Sequence, residues 1–361
     1  MKKIVTVLGA RPQFVKAAVL SRVIRKYQQI KEVIVHTGQH FDSNMSAVFF
    51  EEMKIPKPNY HLEINSLGHG AMTGKMLEEI ELILLKEKPD AVVVYGDTNS
   101  TIAGALAARK LHIKVIHIEA GLRSFNMQMP EEVNRILTDR ISDLLCCPTD
   151  SAIENLSKEG FEKLPIRIEK NGDIMKDAVE YYGKTSSEKS SIINDLNIRD
   201  KEFVLATIHR QENTDDVDKI QSIFKALEEI HKDCQVVLPL HPRTKKVLEK
   251  LQINLKITFI SPIGYFDMLE LLKHCKMVVT DSGGLQKEAF FNQKHCVIVR
   301  EETEWVELVK NGFATIVGSD QQKITKAFHD FSMKDSDFSI NLYGNNVGEN
   351  IHQSIVSLLN N

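Results

Sequence analysis

The segment MVVTDSGGLQKEA, Met277 to Ala289, runs from an apolar stretch through Asp281 and Ser282 to two glycines and a helix start. Met277 to Thr280 has the character of a buried strand. In open α/β sheets ligands sit beyond the carboxyl ends of the strands, and a glycine pair opening a helix lets backbone N–H groups approach an anion. Gly283 and Gly284 are therefore a candidate phosphate cradle. Ser282 can supply a hydroxyl as well as a helix cap, and Glu288, about a turn and a half further on, is placed to accept hydrogen bonds from a vicinal diol such as a ribose. Together these features describe the diphosphate and sugar of a nucleotide. The same residues would also suit an ordinary Ser-Gly-Gly helix start, so the rest of the chain must decide.

At 361 residues, 42% hydrophobic and 26% charged, the chain has the composition of a globular protein of two domains with a sizeable core. A net charge of −3 leaves no surplus of cations for a nucleic-acid backbone or an anionic membrane. Phosphates, if bound, are bound one ligand at a time. The five cysteines, Cys146, Cys147, Cys234, Cys275 and Cys296, show no C-x-x-C spacing and lie mostly in apolar runs, as reduced core residues do. The apolar run after Met1 ends at Gly9-Ala10-Arg11-Pro12 with no cleavage region, and no later segment is long enough to span a bilayer. The expected location is the cytoplasm.

Outward from Met277 the second half is regular. Apolar runs at Phe203–Ile208, Gln235–Leu240, Ile257–Ile260, Met277–Thr280 and Cys296–Val299 read as parallel strands covered by helices on both faces. Each is followed by polar groups: His209-Arg210-Gln211-Glu212-Asn213, His241-Pro242-Arg243, Ser261-Pro262, Asp281-Ser282 and Arg300-Glu301-Glu302. Gly183 to Asp200, rich in Ser, Lys and Glu, reads as a surface connection with a short helix within Ser190–Leu196.

The first half alternates in the same way. Lys3–Leu8 reads as a strand and Gln13–Lys26 as a helix; between them Gly9 permits a tight turn, Pro12 suits a first helical turn, and Arg11 and Lys16 can reach an anion above the strand end. Val33–Thr37 is a strand ending in Gly38-Gln39-His40. The segment GHGAMTGKM, Gly68 to Met76, resembles a phosphate-binding loop but lacks its spacing and its Ser or Thr after the Lys; Met72, Met76, Ile80, Ile83 and Leu84 instead mark the core face of a helix. Strands Ala91–Tyr95 and Lys114–Ile118 end in Gly96-Asp97-Thr98 and Glu119-Ala120-Gly121-Leu122-Arg123, and Pro130-Glu131-Glu132-Val133-Asn134-Arg135 opens a helix. One acid at a helix start is ordinary dipole chemistry. Several carboxylates converging on one sheet edge point to proton transfer. Leu144–Pro148 and Ile166–Lys170 complete this half.

GARPQFVK, TGQH, YGDTNST, HIEAGLRS, PEEVNR, HRQEN, TDSGGLQKEA and the C-terminal NLYGNNVGENI, in this order and spacing, resemble the non-hydrolysing UDP-N-acetylglucosamine 2-epimerases over nearly the whole chain. The resemblance implies an α/β fold of two Rossmann-like, doubly wound domains facing a central cleft (GT-B-like), residues 1–170 and 171–345, with a C-terminal helix at 346–361 crossing back to the first domain. It implies a homodimer, and a UDP-sugar substrate handled without metal or nicotinamide. Carbon 2 of the sugar has no adjacent carbonyl to acidify its proton. The reaction so implied is elimination of UDP to a 2-acetamidoglucal, followed by re-addition with a proton delivered to the opposite face. By the same resemblance Asp97, Glu119, Glu131 and His209 match catalytic positions, while Arg11, Lys16, His40, Arg123, His241, Ser282, Gly283, Gly284 and Glu288 are expected to bind substrate.

Three departures bear on the sugar. Gly-Ala-Arg-Pro-Gln followed by Phe14 replaces a common Gly-Thr-Arg-Pro-Glu, Ile263 replaces a usual Gln, and Glu304-Trp305-Val306-Glu307 replaces Glu-Arg-Pro-Glu, removing a cation. The pattern is closer to members acting on modified sugars such as UDP-2,3-diacetamido-2,3-dideoxyglucuronate. A glycosyltransferase of the same architecture, or a nucleotide-sugar sensor, would share the diphosphate cradle but would not need Asp97, Glu119 and Glu131 together.

Overall fold

The computed structural model describes residues 1–39, 55, 57–252 and 255–360, so the expected contact His40 lies outside the described residues. The chain forms two compact units, Met1–Ala178 with Asn341–Asn361, and Val179–Ile340.

In the first unit seven strands, β1 (Lys2–Leu8), β2 (Ile30–His36), β3 (Tyr60–His61), β4 (Ala91–Tyr95), β5 (Lys114–Ile118), β6 (Leu144–Cys147) and β7 (Arg167–Lys170), lie in the order β3-β2-β1-β4-β5-β6-β7. Every described pairing is parallel. The chain builds outward from β1 to one edge, then returns to place β4 on the other side of β1. That reversal opens a crevice above the carboxyl ends of β1 and β4, the position where doubly wound sheets take ligands. One face of the sheet is covered by Met72, Met76, Ile80, Ile83 and Leu84, which join Val5, Val7, Val92 and Val94 in a single core. The helix carrying them, His69–Glu87, runs straight through the GHGAMTGKM segment, whose Lys75 is exposed and cradles nothing.

In the second unit β8 (Phe203–Thr207), β9 (Gln235–Pro239), β10 (Thr258–Ile260), β11 (Met277–Thr280), β12 (His295–Ile298) and β13 (Ala314–Ile316) lie in the order β10-β9-β8-β11-β12-β13, again parallel. Here the reversal falls between β8 and β11, the strands followed by His209 and Asp281.

Gly183 to Asp200 departs from its expected form. The helix Ile174–Lys189 continues through Gly183, because Tyr182 is buried against Tyr265 and Phe266 and the Ser186 hydroxyl bonds to Glu270 at 2.6 Å. Lys184, Ser187, Glu188 and Lys189 form the exposed face of that helix. The expected short helix follows at Ile192–Asp195. The last helix, Val347–Asn360, returns to the first unit against the helix Arg11–Tyr27: a Cβ on Gly348 would stand 2.8 Å from Val19 Cγ1, and Lys26 pairs with Glu349 at 2.6 Å.

Candidate active site

The two chain reversals gather most of the expected residues. In the first unit Gln13 ties the turns after β1 and β4 together. Its carboxamide oxygen accepts the N–H groups of Gly9 and Ala10 at 2.8 and 3.0 Å, and its nitrogen donates to the Tyr95 carbonyl at 2.7 Å and the Thr98 and Thr101 hydroxyls at 3.0 Å. Gln13 is 2% exposed and Phe14 4%, its ring edge-on to His36 at 4.9 Å. Both departures therefore belong to the packing of the sheet edge and do not face a sugar. An ionised Glu at position 13 would set a carboxylate oxygen against the Tyr95 carbonyl, whereas the amide N–H satisfies it.

Gly96, at φ +61°, makes the turn from β4, a conformation that costs glycine little. A Cβ there would stand 3.2 Å from Glu119 Oε2 and 3.8 Å from Lys16 Nζ, so the Glu119–Lys16 ion pair lies directly over it. Glu119 itself has φ +70°, an uncommon backbone for a residue with a side chain, of the kind that concentrates at functional sites. Asp97 is held by Arg135, whose Nε and Nη2 donate to Oδ2 at 3.0 and 2.7 Å, while Asn134 donates to the Asp97 carbonyl at 2.9 Å. Glu131 begins the same helix, Pro130–Ile141, three and four positions before Asn134 and Arg135, and so shares their face toward Asp97. Arg135 also donates to Glu132 at 2.7 Å, and Glu132 accepts the N–H groups of Ser124 and Phe125 at 3.0 and 2.9 Å. Asp97 and Glu119 thus stand at the ends of β4 and β5, with Lys16 on Glu119, Glu131 in the first turn of the helix that holds Asp97, and Arg11 half-buried at the first residue of its helix.

Arg123 does not join them. Its side chain is fully buried, donating to Asp139 at 2.7 Å, to Glu159 at 2.7 and 2.9 Å and to its neighbour's carbonyl, so every edge of the guanidinium is used inside the protein. It is a scaffold group, not a sugar contact.

In the second unit Asp281 is the organising residue, one the sequence offered only as part of a polar set. Fully buried at the end of β11, it accepts the N–H groups of His209 and Arg210, each at 2.9 Å, and the Asn213 amide at 3.1 Å. Its Oδ1 lies 3.3 Å from His209 Nδ1. Burial pushes the His209 imidazole below its usual range; Asp281 opposes this, and Arg210 and Arg243 add to it. His241, whose ring centroid is 5.6 Å from that of His209, caps the helix Pro242–Lys250 by accepting the Arg243 N–H.

Ser282 stands at the cap position of the helix Gly283–Phe291, yet its hydroxyl makes no capping bond. A Cβ on Gly284 would meet nothing within 4 Å, and neither glycine has the positive φ that would demand one. The protein's own packing does not require glycine at 284. Glu288 is 8% exposed on this helix. Trp305 leaves no cation gap: its buried ring lies 4.0 Å from Lys287 Nζ, beside the buried Arg300–Glu304 pair at 3.1 Å. Among the described residues no helix is long and apolar enough to cross a membrane, and no cluster of His, Cys, Asp or Glu could hold a metal ion.

The family model described as UDP-N-acetylglucosamine 2-epimerase matches residues 22–356. A UDP-2,3-diacetamido-2,3-dideoxy-D-glucuronate 2-epimerase of Pseudomonas aeruginosa is 54% identical over 326 residues, covering 90% of this chain and 91% of the relative. A UDP-N-acetylglucosamine 2-epimerase of Methanocaldococcus jannaschii is 43% identical over 335 residues, 90% of this chain and 91% of the relative. The crystal structure of a UDP-GlcNAc 2-epimerase from that organism, in complex with UDP-GlcNAc and UDP, superposes with a TM-score of 0.90 at 40% identity, over 99% of this chain and 100% of the other. With a matching family model, relatives aligned along nearly their whole length, and carboxylates and a glycine-opened helix at the two chain reversals, this chain belongs to the UDP-N-acetylglucosamine 2-epimerase family, isomerases that act on UDP-sugars.

Proposed function

We propose that the preferred substrate is UDP-2,3-diacetamido-2,3-dideoxyglucuronate, inverted at carbon 2. The observation that supports this reading is the 54% identity to a 2-epimerase of that sugar, against 49% and 43% for relatives named for the parent UDP-N-acetylglucosamine. Gln13 and Phe14, being packed in the sheet edge, lend it no support. The loss of an Arg at Trp305 no longer counts against it, since Lys287 and Arg300 stand beside that ring.

In the reaction so read, one base takes the carbon-2 proton as the bond from carbon 1 to the UDP oxygen breaks. The electron pair becomes the carbon 1–carbon 2 double bond of the glucal, and UDP leaves as an anion. Re-addition of UDP at carbon 1, with a proton arriving at carbon 2 from the other face, gives the epimer. Two proton-bearing groups on opposite faces are needed, and Asp97, Glu119 and Glu131 supply three candidates among which base and acid stay unassigned. His209, beside the buried Asp281, is assigned to the departing diphosphate. Arg11 and Lys16, with Ser282, Gly283, Gly284 and Glu288, are assigned to the nucleotide. A homodimer and a cytoplasmic location accompany the reading as proposals. Comparative kinetics tests the substrate: kcat/KM should be higher for the diacetamido uronate than for UDP-N-acetylglucosamine, and the reverse order would return the chain to the parent reaction.

A further inference from the structure

His117, in the middle of β5, is fully buried and has acceptors on both sides. Its Nδ1 lies 2.7 Å from Asp139 Oδ1, and its Nε2 lies 2.7 Å from the carbonyl oxygen of Gly96, the residue before Asp97. A neutral imidazole has one N–H and one lone pair, so it can satisfy only one of two acceptors. With the proton on Nδ1, the Nε2 lone pair would oppose the Gly96 carbonyl. With the proton on Nε2, the Nδ1 lone pair would oppose the carboxylate unless Asp139 were itself protonated. Asp139 has every reason to be ionised: its Oδ2 accepts the Gly121 N–H at 3.1 Å and Arg123 Nη1 at 2.7 Å.

We infer that His117 is a buried imidazolium and acts as a positioning residue for the catalytic edge, an assignment that rests on the epimerase reading for its functional part only. Both ring N–H groups are donated, one to Asp139 and one to Gly96. The anchored Gly96 carbonyl fixes the plane of the Gly96–Asp97 peptide. Because that peptide is trans and planar, its N–H at Asp97 is turned away from His117. Gly96 is also the residue over which Glu119 and Lys16 meet, and its own N–H bonds to the Ile118 carbonyl at 2.9 Å. One turn is therefore held from within by a cation while it carries Asp97 and lies under Glu119.

The surrounding charges are consistent with this state. From the helix Pro130–Ile141 comes Asp139, from the loop after β5 come Arg123 and Glu119, from the end of the helix Asp150–Lys158 comes Glu159, and from the first helix Lys16. Cys147 on β6, pushed well up by burial and then by Asp139, is a neutral thiol. Along the row of buried His117, Asp139 and Arg123 and the partly exposed Glu159 the charges alternate in sign and cancel, the condition under which buried ions persist.

Nitrogen-15 NMR of histidine-labelled protein at neutral pH tests the charge state directly. The expected spectrum contains one slowly exchanging ring with both nitrogens of the protonated type, absent in H117Q. A His117 ring with one unprotonated nitrogen would overturn the inference. Should H117Q not fold, D139N serves instead: with its countercharge gone the ring should become singly protonated, and a ring unchanged in D139N would count against the proposal. For the positioning role, H117Q should lower kcat about 10- to 100-fold, the effect of displacing a reacting group by a fraction of an ångström to an ångström, while KM and UDP affinity stay within about 3-fold. Unchanged kcat would refute it. A wild-type protein with no carbon-2 turnover would instead refute the proposed function and leave the charge-state result standing.

Discussion

Arg135 serves two carboxylates at once, and its replacement by methionine should register in stability and turnover together. Three charge-assisted hydrogen bonds are lost: two to Asp97 at 3.0 and 2.7 Å and one to Glu132 at 2.7 Å. Glu132 is 1% exposed in its side chain and Arg135 5%, whereas Asp97 is 31% exposed and can recover water. Removing one partner of a buried pair costs about 3–5 kcal/mol, because the other charge stays buried. The partly open Asp97 contact should contribute about 1 kcal/mol or less. Most of the loss therefore comes from Glu132, and the lower end of the range, about 3 kcal/mol, is expected for Arg135→Met. Adding Glu132→Gln removes the stranded charge, so the double variant should be less destabilised than the sum of the two singles by about 1–3 kcal/mol. Urea unfolding of the four proteins measures this. Turnover of Arg135→Met should also fall by about 100-fold, since Asp97 loses its orientation. A stability loss under about 1 kcal/mol with near-normal turnover would refute the reasoning.

Replacing Asp97, Glu119 or Glu131 by its amide should lower turnover on the order of 100-fold or more with UDP affinity little changed; near-normal turnover in all three, with folding intact by thermal melts, would exclude them as the proton-transfer groups. Gly284→Ala meets no atom within 4 Å and demands no unusual backbone, so the melting temperature should hold or rise. UDP affinity by calorimetry should nevertheless drop about 10-fold if the glycine exists for close approach of phosphate, and unchanged affinity would return the segment to an ordinary helix start. Burial opposes ionisation of Glu270, but Lys273, Ser186 and Ser187 hold its carboxyl below the usual range. A depressed carboxyl stabilises the fold above its unfolded value and loses that contribution as the pH falls through the folded one. Glu270→Gln should therefore melt lower than the parent at neutral pH, with the gap closing below about pH 4; a gap of constant size would show that the charge contributes nothing.

The alternation of strands and helices was legible because parallel strands covered on both faces are written as apolar runs, and nearly all the longer ones appear where those runs lie. The strands β3 and β13, of two and three residues, carry too little pattern to be seen. The candidate site was legible as a set of polar strand ends, since the chain reversals β1/β4 and β8/β11 place Gly96-Asp97, His209 and Asp281-Ser282 at the sheet edges where doubly wound folds take ligands. Roles that depend on distant partners were not. Gln13 finds its partners 82 to 88 residues away, and no local feature separates a buried staple from a sugar contact. Arg123 looked like a ligand cation because Asp139 and Glu159, 16 and 36 residues further on, are not visibly its neighbours. His117 was hidden inside an apolar strand. Trp305 read as a lost cation because its packing against Lys287 joins the cap of one helix to the middle of another.

Proton NMR of the purified protein with UDP-2,3-diacetamido-2,3-dideoxyglucuronate in heavy water, with no acceptor present, tests carbon-2 elimination most directly. The expected result is a mixture of two UDP-linked epimers, each carrying deuterium at carbon 2, with a trace of free UDP and glucal. Epimers formed with the original proton retained at carbon 2, or no epimer from any UDP-N-acetylhexosamine, would contradict it.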